Sequence, residues 1–119
     1  MARDKVILRE DKLAKTNLEN AQFFFVQINT EDTLELATSG TAAYVLEDNP
    51  KKGEFGTFAI VGIAKVKCAE TIQAGERVAS NNLGEAQVWK SGQFVAGQAL
   101  EKGESTQIIS IIVPGPAKA

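Results

Sequence analysis

From Phe23 onward the chain is a series of short apolar runs, cut by turn-forming residues at Ser39-Gly40, Asp48-Asn49-Pro50, Ala74-Gly75-Glu76, Asn81-Asn82-Leu83-Gly84, Ser91-Gly92 and Glu101-Lys102-Gly103. Breaks this frequent leave no room for long helices and predict an all-β sandwich or barrel. Between them, Phe23–Ile28, Ala43–Leu46, Arg77–Ala79 and Ala86–Trp89 are β-branched or aromatic segments of strand length. At 119 residues with 44% hydrophobic content, one packed core without staples is the expectation.

Phe58 to Cys68 is the most informative run. Phe58, Ile60, Gly62, Ala64, Val66 and Cys68 alternate with Ala59, Val61, Ile63, Lys65 and Lys67. Strict period 2 puts the first set on one apolar face of a strand that starts buried on both sides and ends with Lys65 and Lys67 in solvent. Gly62, at its middle, marks a bend or a close backbone crossing. Ser105–Val113 carries apolar residues on both faces and reads as a central closing strand. Phe58, Ile60, Val66, Ile108 and Ile112 are therefore expected in the core. Residues 114–119, beginning Pro114-Gly115-Pro116, read as a flexible tail.

Residues 1–22 have a weaker pattern. Ala14, Leu18 and Ala21 share a helical spacing, with Asp11 at a helix start, so a short helix is one option. An extended N-terminal arm is the other. Residues 1–15 hold five basic and three acidic groups around an isolated Val6-Ile7-Leu8, whereas residues 16–54 hold two basic and seven acidic groups. An apolar strand edge without a partner invites association. The arm, residues 2–15, is thus expected to dock on another chain, with Arg3, Lys5 and Arg9 meeting acidic groups there.

The chain has no histidine, which excludes Ser-His and Cys-His nucleophile pairs and removes the commonest metal ligand. Cys68 is the single cysteine, with no CxxC or other metal-ligand spacing, and its place on the apolar face predicts an inert buried thiol. Glu31-Asp32 and Glu47-Asp48 lack the alternating spacing of a calcium loop and read as solvated turns. No catalytic residue, cofactor or metal is expected, and the chain reads as a non-enzymatic binding protein. No basic segment is interleaved with aromatics, so nucleic acid is not an expected partner. Val6-Ile7-Leu8 is too short for a signal-peptide core or a membrane span. Trp89, the single tryptophan, faces outward beside Phe94 if alternation holds, making both interface anchors. A bulge or turn at Lys90-Ser91-Gly92 would instead fold Trp89 back over the core.

Gly62-Ile63-Ala64, Ile72-Gln73-Ala74-Gly75-Glu76-Arg77-Val78, Gly84-Glu85-Ala86 and Gly97-Gln98-Ala99-Leu100-Glu101 precede the Ile-rich last strand in that order. The order resembles the capsid decoration, or cement, proteins of tailed double-stranded-DNA phages, with Glu76 where that family usually has Asp. The likeness spans Gly62 to Val113. It implies a small β-barrel or β-tulip-like domain, commonly trimeric, that binds the outer face of the assembled major capsid protein shell and stabilises it. It also implies synthesis in the bacterial host cytoplasm and residence on the capsid exterior. Two other readings stay open: another virion assembly subunit, in the tail or head-tail connector, and a β-clip carbohydrate-binding domain similar to SAF at Ile72–Val78.

Overall fold

The computed structural model describes residue 2 and residues 4–115. Among them are nine strands and no helix: β1 (Lys5–Leu13), β2 (Phe25–Ile28), β3 (Leu34–Leu36), β4 (Tyr44–Leu46), β5 (Phe55–Lys67), β6 (Arg77–Ser80), β7 (Ala86–Val88), β8 (Gly97–Ala99) and β9 (Ile108–Val113). They form one antiparallel sheet in the order β3-β2-β4-β5-β9-β8-β6-β7, with β1 also paired to β5. The all-β expectation holds. The sheet curls until Ala14, just past β1, bridges Leu34 of β3, so the N-terminal half approaches a closed small barrel.

β5 organises the whole. Its first half pairs with β4 through Val45↔Ala59 and Leu46↔Phe58, and its second half pairs with β9 from Gly62↔Val113 to Lys67↔Ile108. The partner changes at Gly62, whose φ is +131°. Here β1 carries its own register shift, between Val6↔Gly62 and Leu8↔Val61. A side chain at Gly62 would overlap the Lys5 carbonyl oxygen and lie 2.8 Å from Ile7 N and 2.9 Å from Val6 Cα. The crossing anticipated there is real, and only glycine fits it.

The bulge also overturns the expectation of one continuous apolar face. Two clusters form instead of one core. Phe58 joins Ala14, Leu18, Ala21, Val26, Leu34 and Leu46, with Ile60 half-buried against them. Ala59 joins Phe25 and Val45 in the larger cluster, which then takes Ala64, Val66 and Cys68. The inward positions thus change parity across Gly62, because one extra residue in a strand pair exchanges its faces. Lys65 and Lys67 are half-buried, with their ammonium groups 5.2 Å and 5.4 Å from the ring centres of Phe23 and Phe24.

β9 is central by hydrogen bonding, between β5 and β8, but not buried on both faces. Pairing of Ile111 with Ala64 and Ile109 with Val66 turns Ile109, Ile111 and Val113 into the core. Ile108 and Ile112, expected inside, are 41% and 40% exposed.

The N-terminal segment is extended, but it is a strand of the chain's own sheet rather than an arm reaching outward. β1 pairs with β5 from Lys5↔Ile63 to Leu13↔Phe55. Its partner strand lies about fifty residues downstream, so no nearby turn announced it. Ala14, Leu18 and Ala21 are all buried, as their spacing suggested, yet in irregular backbone held by Ala14 N–H to Glu54 O, Lys15 N–H to Leu34 O and Leu18 N–H to Pro50 O. The short helix is absent because these donors bond across the fold. At the other end Pro114 is exposed and Gly115 lies against Val95 and Gly97, while residues 116–119 of the expected tail fall outside the described residues.

Candidate functional site

Paired residues of an antiparallel sheet project to the same side, so the registers trace a row across the outer face. Lys5 opposes Ile63, Ile63 opposes Ile112, Ile112 opposes Gln98, and Gln98 opposes Arg77. Trp89 N–H donates to Arg77 O at 2.9 Å, adding the last member. Five strand spacings give a row of about 24 Å along the curved sheet. Lys5, one of the anticipated contact residues, and Trp89 thus stand at opposite ends of one surface. Sequence reasoning missed Arg77 and Gln98, which lie between them in space and carried no signal beyond one basic residue opening a strand.

The alternatives for Trp89 resolve in favour of alternation. Ala86 belongs to the larger cluster, Val88 packs against it, and Trp89 points the other way. It is half-buried, because the turn after it closes over the ring edge: indole Nε1 donates to Gln93 O at 2.7 Å, and Lys90 N–H donates to Gln93 Oε1 at 2.8 Å. Phe94 follows, 64% exposed, with its N–H bonded to Gly40 O. The Arg77 guanidinium lies over the indole, 6.0 Å from its centre. Gly75, Glu76, Arg77, Val88, Trp89 and Gln98 line an open cleft of about 330 Å³. Its walls are fixed: Gln98 Nε2 donates to Gly75 O at 3.0 Å, and Glu76 accepts the Gln73 N–H at 2.7 Å.

At the N-terminal end, Val6 turns inward against the larger cluster, while Ile7 and Leu8 are 76% and 46% exposed beside the Gly62 crossing. Lys5 is exposed, and Arg3 lies outside the described residues. Arg9, expected to meet acidic groups on another chain, donates to Glu47 at 2.8 Å. Lys12 pairs with Asp32 and Lys15 with Glu31 at 2.7 Å. The basic excess of residues 1–15 and the acidic excess of residues 16–54 therefore meet within one molecule. Sequence separation hid this, since β1 and the β2–β3 loop are brought together only by closure of the barrel.

Cys68 is fully buried between β5 and the Gly103 turn, where burial above all, then the charge of Glu101, pushes its thiol up to about 11. Such a thiol carries almost no thiolate at neutral pH. Among the described residues no group of three or more His, Cys, Asp or Glu is placed to hold a metal ion. The site's resources are a guanidinium on an indole, a row of half-exposed aliphatics and a basic rim, which suit recognition of a surface.

The fold is similar to that of the head fiber gp8.5 N base of bacteriophage phi29, a crystal structure. The TM-score is 0.67 with 17% identity, over 88% of this chain and 92% of that one. At that identity the likeness is one of fold. No family model and no curated protein sequence matches the chain.

Proposed function

We propose that this chain is a structural protein of a phage virion, a decoration domain that seats on the outer face of the assembled capsid and stabilises it. The observation that carries the reading is the fold likeness, over 88% of the chain, to the base of a phage head fibre. Support of a second kind comes from the outer face, where an unbroken row from Lys5 to Trp89 presents Ile63 and Ile112 between basic ends. Burial of such a row against a matching surface offers hydrophobic gain in the middle and register at the ends.

The domain acts as a homotrimer on the shell. A cyclic trimer at a local three-fold offers one patch to three equivalent capsid subunits, and each engagement after the first is effectively intramolecular. Individually weak contacts then resist expansion together. The test is co-sedimentation of the purified protein with DNA-free heads of the phage that encodes it. Saturable binding at a fixed ratio to the capsid subunit, with a raised head-disruption temperature, is the expected result. Failure to pellet, or recovery with isolated tails instead, refutes the reading.

A further inference from the structure

Five cations are matched by the chain's own carboxylates: Arg9 by Glu47, Lys12 by Asp32, Lys15 by Glu31, Lys67 by Glu85 and Lys102 by Glu104. Arg77 differs. It has no ion pair among the described residues, and its Nε is buried without a hydrogen-bond partner. A desolvated N–H on a permanent cation without a partner is unfavourable. Its guanidinium lies over the Trp89 indole, whose Nε1 is anchored to Gln93 O.

We infer that the cleft between Arg77 and Trp89 is a carboxylate-binding site, and that its occupant is an aspartate or glutamate side chain of the protein surface on which the domain sits; the occupant rests on the function proposed above. A guanidinium presents parallel N–H groups that a carboxylate accepts in pairs. The cleft is lined by one such cation and also by Glu76, so its positive charge is limited and a planar monoanion suits it better than a phosphate. Gln98 leads from the cleft to Ile112 along the row, so an acid that enters it continues into an apolar contact, as a side chain projecting from a protein surface does.

Trp89 is the single tryptophan, so its fluorescence reports this cleft alone. The test titrates the intact chain with N-acetyl-glutamate amide and, as the neutral isostere, N-acetyl-glutamine amide, at constant ionic strength. A saturable change with the glutamate probe only is expected, weakened about tenfold in Arg77→Lys, which loses one of two parallel bonds, and abolished in Arg77→Gln. Equal responses to both probes, an unchanged response in Arg77→Gln, or an equal response to inorganic phosphate would overturn the site. Thermal melts identify any variant that fails to fold, in which case Arg77→Lys decides. Pelleting with heads then separates the two proposals. Wild-type binding to heads that survives in Arg77→Gln overturns the assigned occupant, whereas a wild type that answers the glutamate probe but never binds heads refutes the capsid reading and leaves the site standing.

Discussion

Replacing Gly62 by alanine tests how the two halves of the sheet are joined. At φ +131° an L-residue sits in a region reached almost only by glycine, at a cost of about 2–3 kcal/mol. The new methyl would also meet three backbone atoms of β1, those of Lys5, Val6 and Ile7, none of which can rotate aside. Relief requires β1 to lift off β5 at its bulge, with loss of one or two strand hydrogen bonds at about 1 kcal/mol each. The expected destabilisation is roughly 3–5 kcal/mol, a large share of the ~5–15 kcal/mol that holds a domain folded. For a chain of this size the melting temperature should fall by about 12–20 °C. The matched control is Gly53→Ala, where φ is +84° but nothing lies within 4 Å of the added methyl; it should lose only the backbone term, about 1–2 kcal/mol. Both variants are measured by urea unfolding followed through far-UV circular dichroism. If Gly62→Ala proves no more destabilising than Gly53→Ala, the crossing does not constrain the fold and the argument fails.

Phe58→Ala, at a fully buried position, should cost about 3–5 kcal/mol, while Ile112→Ala, 40% exposed, should cost under about 1 kcal/mol in the same unfolding assay. Deleting residues 2–13 removes β1 and its pairing with β5, so the remainder should lose its cooperative melt; a folded product would show that β1 is an accessory strand. Cys68 should resist a thiol-reactive chromophore at pH 8 until denaturant is added, and rapid native labelling would contradict its burial. With burial raising its thiol from the ordinary 9.0 to about 11, the folded state keeps a proton that the unfolded chain releases. Stability from this group is therefore intact below about pH 9 and lost as pH rises toward 11. Cys68→Ala should flatten that decline in a pH series of melts.

Several elements were legible without coordinates because their information is local. The breaks at Asn81–Gly84 and Ser91-Gly92 separate β6, β7 and β8 where they should, since turn formation depends on a few adjacent residues. The crossing at Gly62 was visible because only glycine tolerates it. The short strands β3 and β8 carried too few residues for a period to show. Leu18 and Ala21 were rightly marked apolar and wrongly given a helical meaning, since any segment that dips repeatedly into a core shows spaced apolar residues.

Composition and local pattern by themselves determined that this chain is all-β, that Cys68 lies buried on an apolar strand, and that no histidine-dependent chemistry is available to it. Tertiary structure decided everything that needed a register. Whether Ile109 or Ile112 faces inward depends on which residue of β5 stands opposite, and the bulge at Gly62 reverses that answer midway along the strand. Closure of the barrel likewise decided that Arg9, Lys12 and Lys15 are spent on Glu47, Asp32 and Glu31, while Arg77 lies over Trp89. The reason is physical: a strand's side chains alternate with a period of 2, so a single displaced residue exchanges its faces, and long-range pairing alone sets that displacement.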